Sequence, residues 1–114
     1  MAYDHDLADR VRELVAGEKH LSERTMFGGL AFLLDGNMAV AASGQGGLMV
    51  RVAPEDTDVL TGEPGVEPMV MRGRELRGWL RVDSSAVGAR DQLERWVGLG
   101  VAYARSLPAK TARR

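Results

Sequence analysis

Apolar positions along the chain fall into short runs whose spacing switches between helical and extended periods. Residues 6–16 predict an amphipathic helix. Leu7, Val11, Leu14 and Val15 recur at i, i+4, i+7 and i+8, while Asp9, Arg10, Arg12 and Glu13 fill the other face. Asp4 or Asp6 can cap its start, where the helix dipole favours a carboxylate, and Gly17 can stop it. The polar residues 18–23 read as a connector.

The longest apolar stretch, Met26 to Met38, organises the rest. It predicts a first strand over about residues 24–34, with Leu30 to Leu34 buried. Gly28-Gly29 inside that strand marks a bulge or a place where another backbone comes close. Asp35-Gly36 or Gly36-Asn37 then supplies a hairpin turn, since either pair tolerates positive φ. A second strand is expected over about 37–43, and Ser43-Gly44-Gln45-Gly46-Gly47 forms a turn. The third strand, Leu48 to Val52, alternates: Leu48, Val50 and Val52 share one face, Met49 and Arg51 the other.

Pro54 suits a first helical position, with Glu55 and Asp56 in the first turn, so a short helix is expected to about Leu60. Residues 62–68, with two glycines and two prolines, read as a loop. Met69-Val70-Met71 starts a fourth strand, Arg72-Gly73-Arg74 turns, and Leu76 to Val82 makes a fifth. The last element is a helix over about 89–106 with Leu93, Trp96, Val97, Gly100, Val101 and Ala104 on one stripe. Gly98 and Gly100, each costing about 1 kcal/mol against alanine in a helix, suggest close packing against the sheet or a second subunit. Pro108 ends the helix, and residues 109–114 are expected to be a flexible basic tail.

The expected order is α-β(3)-α-β(2)-α. This gives an α+β, two-layer fold with an antiparallel five-stranded sheet and helices on one face. At 114 residues the chain is expected to be one domain, 1–114. Its length allows burial of roughly two-thirds of the surface that the unfolded chain exposes. With 45% hydrophobic and 27% charged residues it belongs among globular rather than disordered chains. No cysteine is present, which excludes disulfides and thiolate chemistry. No secretory leader and no run of membrane-spanning length stand out, so a cytoplasmic protein with no membrane partner is expected.

Net charge is −1, so the chain as a whole does not suit nucleic acid. The charge is uneven: residues 1–57 carry five Lys/Arg and nine Asp/Glu, residues 58–114 ten and seven, giving −4 and +3. The basic half holds the most suggestive group, Arg72, Arg74, Arg77 and Arg81 with Trp79. Equal parity along the fifth strand puts Arg77 and Arg81 on one side with Trp79 between them, and Arg51 joins them if the register allows. Basic side chains around an aromatic ring can bind phosphate and stack a base. The plainer reading is a solvated sheet face with arginine stems covering Trp79.

Other candidates are weaker. His5 between Asp4 and Asp6 fits helix capping better than metal binding, and His20 stands alone. Ser43 lacks the glycine pattern of a nucleophile elbow. Gly44-Gln45-Gly46-Gly47 precedes a strand and lacks the Lys-Ser/Thr of a phosphate loop. Met26, Met38, Met49, Met69 and Met71 make the strands methionine-rich, a feature of adaptable interfaces as well as of cores. No catalytic residue, metal site or cofactor is expected.

The run Arg24-Thr25-Met26-Phe27-Gly28-Gly29-Leu30-Ala31-Phe32-Leu33-Leu34-Asp35-Gly36-Asn37-Met38 resembles the N-terminal domain of the TfoX/Sxy family. Met26, Phe27, Gly28, Gly29, Asp35 and Gly36 carry the motif. Leu48 to Val52, Pro68-Met69, Gly78-Trp79-Leu80, Val82 and the final helix from Trp96-Val97 to Leu107-Pro108 support it, as in short single-domain members. The resemblance implies a fold similar to secretion chaperones and a regulatory role related to competence and its transcription programme. The reading that follows is a small non-enzymatic binding module with a protein partner, which could also form a homodimer. The alternative is nucleic-acid contact through Arg51, Arg72, Arg74, Arg77, Trp79 and Arg81. A small-ligand protein or enzyme comes last.

Overall fold

The computed structural model describes residues 3–26 and 28–108; Phe27 and the basic tail 109–114 lie outside the described residues. Helix α1 is His5–Val15, capped by Asp4, whose Oδ1 accepts from the Leu7 amide at 3.1 Å. Strands β1 (Leu21–Met26), β2 (Gly29–Leu34), β3 (Asn37–Ala42) and β4 (Leu48–Arg51) follow. A 3-10 turn at Pro54–Asp56 leads into the one-turn helix α2 (Thr57–Leu60). Then come β5 (Val66–Met71), β6 (Arg74–Val82), a second 3-10 turn at Ser84–Ala86 and helix α3 (Arg90–Ser106).

The fold is α+β, with one antiparallel sheet in the order β1-β2-β3-β4-β6-β5. It has six strands rather than five, and the sequence order is α-β(4)-α-β(2)-α. The extra strand arises because the expected strand 24–34 is a hairpin, β1 pairing with β2 from Leu21↔Leu34 to Met26↔Gly29. Gly28 has φ +77 in the turn between them, a conformation that glycine reaches without a Cβ penalty. Gly29 has no room for a side chain: a Cβ would lie 2.3 Å from the Ala42 carbonyl oxygen. The glycine pair therefore marks a turn and a close approach; the sheet's irregularity sits elsewhere, between Phe32 and Leu33. Ser22 to Thr25, all exposed, belong to an edge strand, which is why polar residues there do not mean a connector.

A second difference lies at residues 66–68, expected as loop and found in β5. Pro68 is tolerated because β5 is an edge strand and the pairing with β6 shifts there. Pro68 opposes Leu80 and Met69 opposes Leu76, so residues 77–79 bulge out of the β5 pairing. Gly78, at φ +87, forms the bend, and its amide donates to the buried Thr57 hydroxyl at 2.8 Å. That hydroxyl in turn donates to the Pro54 carbonyl at 2.8 Å, so α2 is tied onto the bulge of β6.

Helices α1 and α3 cover one face of the sheet. Leu7, Val11 and Val15 of α1 and Leu93, Trp96 and Val97 of α3 pack with Leu30, Phe32, Val40, Val50 and Leu80 from the strands. Close packing of α3 is imposed at Gly100, where a Cβ would stand 2.4 Å from the Ala39 carbonyl oxygen. Gly98 is exposed with open space around it. Two forked ion pairs pin the helices from outside: Arg12 of α1 to Glu23 of β1, and Arg95 of α3 to Glu63. Among the described residues no helix is long and apolar enough to cross a membrane.

Candidate contact surface

Strands β2 and β3 are buried at every position, yet the helices cover only one side of them. On the helix-free face, Ala31, Leu33, Met38 and Ala41 are each 7% exposed or less. They form a second apolar cluster with the half-buried Met26, Met49 and Trp79. All six strands contribute to one groove of about 480 Å³ on this side, as a strongly twisted sheet curling around its own face would give. Its floor is built of small residues, Gly29, Ala31, Ala41 and Ala42. Four methionines line it: Met26, Met38, Met49 and Met69. Pro68 and Val70 of β5 line one wall, the Ser43–Gln45 turn another, and the charged groups are Glu67 and Arg81.

The pairing of β4 with β6 sets the charge at the groove's side. Met49 lies opposite Arg81, and Arg51 opposite Trp79. Met49, Trp79 and Arg81 lie towards the helix-free face, because residues two apart on a strand share a face, and Arg51 sits at the end of β4, where the sheet meets the last turns of α3. The Arg51 guanidinium stands 4.9 Å from the centroid of the Trp79 ring and 5.5 Å from that of Tyr103 at the end of α3. Two aromatic faces thus brace one cation, a contact worth ~0.5–1 kcal/mol or more per ring when partly desolvated.

The expected arginine group divides into three places. Arg51 and Arg81 flank Trp79 as the register allows. Arg77 does not share their site: it bonds the Pro54 carbonyl at 3.0 Å and pairs with Asp58 at 3.3 Å. Strand parity fails there because Gly78 at positive φ interrupts the two-residue alternation. Arg72 (φ +55) and Gly73 (φ +78) make the tight turn from β5 to β6, and Arg72 and Arg74 are exposed at that tip.

The family-motif positions divide as well. Met26 and Gly29 line the groove. Gly28 turns β1 into β2. Asp35 and Gly36 form the opposite turn, from β2 to β3, at φ +52 and +82. Asp35 pairs with Arg105 at 3.1 Å, which fastens the end of α3 to that turn. The buried Asn37 adds a second fastening, its Nδ2 donating to the Pro108 carbonyl at 2.9 Å. Tyr103 had no sequence signal as a partner of Arg51, since sheet and helix positions so far apart share no local pattern.

Perturbed carboxylates lie outside the groove. Glu23 and Glu63 are held below the usual carboxylate range by hydrogen bonds from Arg12 and Arg95. Asp83 is lowered by the Ser85 hydroxyl and amide that it accepts from. Each shift has a local structural cause. Among the described residues no three His, Asp or Glu side chains converge as metal ligands.

The sequence model of the TfoX N-terminal domain matches residues 13–104, most of the chain. This chain belongs to the TfoX N-terminal domain family. The match runs from α1 through α3, so it takes in all six strands and the whole groove. No curated protein and no solved structure in the comparisons matches the chain.

Proposed function

We propose that this TfoX-family chain is a small regulatory binding module, cytoplasmic and without catalytic chemistry of its own, that contacts a protein through the helix-free face of its sheet. The observation that carries the reading is the methionine-lined groove on a sheet face that no helix among the described residues covers. A concave, mostly apolar site with a few polar groups is the usual form of a binding site, and methionine side chains adapt to a partner's shape. Membership of the family supports a regulatory process, of the competence or transcription kind that the TfoX/Sxy resemblance implies.

The test is capture of the tagged protein from its native host, with and without nuclease, beside a Met49→Glu variant that places a charge in the groove. A protein recovered after nuclease and lost from the variant is the expected result. Recovery that the variant leaves unchanged would move the contact off this face.

A second reading, nucleic-acid contact, is favoured by one observation: Arg51, Trp79 and Arg81 do stand together. Against it, the Trp79 ring is already stacked by Arg51, and Glu67 sits across from Arg81. Nuclease-sensitive recovery, with binding that weakens steeply with salt, would establish this reading instead.

A further inference from the structure

The proposed protein contact can be taken one step further, to the chemistry of the partner. Most arginines with a placed partner among the described residues are held by carbonyl or carboxylate acceptors, exposed ones included. Arg10 bonds the Val87 and Gly88 carbonyls, and Arg105 bonds Asp35, Glu18 and the Lys19 carbonyl. Arg51 and Arg81 are the half-buried exceptions: neither makes an ion pair within 4.0 Å among the described residues. Their strand positions lie on one diagonal of the β4–β6 block, backbone positions ~7–8 Å apart in an antiparallel pair; Arg81 lines the groove and Arg51 stands beside it. Arg51 is braced by Trp79 and Tyr103, so its fork is held in place before anything binds. Glu67 opposes Arg81 across β5 and β6, is exposed, and stays beyond ion-pair distance.

Two half-buried guanidinium groups with unused donors call for an anion, because partly desolvated donors are costly to leave unmatched. The apolar floor and methionine walls call for aliphatic or aromatic side chains. We propose that the groove receives a protein segment that combines apolar side chains with at least one carboxylate, the carboxylate being bound by Arg81 with Arg51 beside it. This rests on the reading of the helix-free face as a protein contact. Nucleic acid fits less well, since the Trp79 ring is already stacked by Arg51 and the groove is lined by methionine and small side chains rather than by rings on which a base could stack.

The experiment pans the full chain against a random dodecapeptide library and then measures synthetic copies of the selected peptides by titration. Selected sequences are expected to place Asp or Glu within one or two turns of Leu, Ile, Met or Phe. Replacing their carboxylates by amides is expected to weaken binding about ten-fold or more, as loss of a charge-assisted hydrogen bond does. Arg81→Gln should erase that difference. Glu67→Gln should tighten binding by removing the competing carboxylate. Met49→Glu, which sets an internal carboxylate opposite Arg81, should block it with the fold retained.

Selection of neutral or basic peptides that perturb the groove methionines would overturn the acidic partner and leave the contact surface standing. Peptides that bind without perturbing those methionines, or no enrichment over Met49→Glu, would overturn both. Displacement of the peptides by a thymidine dodecanucleotide at lower concentration would put nucleic acid in the groove instead. A dimer that Met49→Glu dissociates would put a second copy there.

Discussion

Arg51 and Trp79 face each other across β4 and β6, with the guanidinium 4.9 Å from the indole centroid. The contact joins a strand from the first half of the chain to one from the second, and Tyr103 of α3 closes on the same guanidinium at 5.5 Å. A double-mutant cycle with Arg51→Met and Trp79→Leu, read by chemical denaturation, is expected to give a coupling of about 0.5–1 kcal/mol. Additive losses would mean that the two side chains do not stabilise each other.

Glycines 29 and 100 are required by space, and Gly98 is not. A Cβ at Gly29 or Gly100 would meet a carbonyl oxygen at 2.3 or 2.4 Å, whereas Gly98 has nothing within 4 Å. Gly100→Ala is expected to cost about 1–3 kcal/mol by overpacking α3 on β3. Gly29→Val should cost at least as much. Gly98→Ala should stabilise by about 0.5–1 kcal/mol, since an exposed helical glycine loses more backbone freedom than alanine. Thermal melts of the three variants check the order; equal Tm values for Gly98→Ala and Gly100→Ala would contradict it.

Which parts of this were legible in the sequence follows from how local each signal is. Helix α3 and the alternation of Met49 and Arg51 with Val50 depend on spacing within one element, and both are found. The hairpin of β1 and β2 reads as one strand in the sequence because an edge strand can be polar throughout, and a glycine pair suits a turn as well as a bulge. Strict alternation puts Arg77 beside Arg81 and hides a bend at positive φ, which the shift in β5–β6 pairing and the Thr57 bond to the Gly78 amide reveal. The groove itself was the least legible feature. Its methionines look like core residues until the structure shows which face α1 and α3 leave uncovered.

Thr57 is the point at which α2 holds β6. Its hydroxyl accepts from the Gly78 amide and donates to the Pro54 carbonyl, both at 2.8 Å. Thr57→Val keeps the shape and strands a buried amide, which is expected to cost about 1–3 kcal/mol. Hydrogen exchange at Gly78 should accelerate more than at Leu80. Unchanged protection at Gly78 would show that this bond does not hold the bend.

Acid should weaken the tie between α3 and the segment before β5. The hydrogen bond from Arg95 lowers the Glu63 pKa in the folded protein. A lowered folded-state pKa means stability that is present above the unfolded carboxyl value of about 4.3 and lost as pH falls through the folded one. Both partners are partly exposed, so the effect is small. The Tm gap between the wild type and Glu63→Gln is expected to shrink as pH is lowered from 7 towards 3. A gap that stays constant over that range would mean that Arg95 leaves the carboxylate's proton affinity unchanged.

The most direct measurement of the contact surface uses the methionines themselves. Of the six in the chain, Met26, Met38, Met49 and Met69 line the groove. With carbon-13 in the methionine methyl groups and nitrogen-15 in the amides, an NMR titration with the protein captured from the native host reads that face and the rest of the chain together. Shifts or broadening are expected at all four, strongest at Met49 beside Arg81. Binding that leaves these four signals in place, while amides on the outer faces of α1 and α3 move, would contradict it.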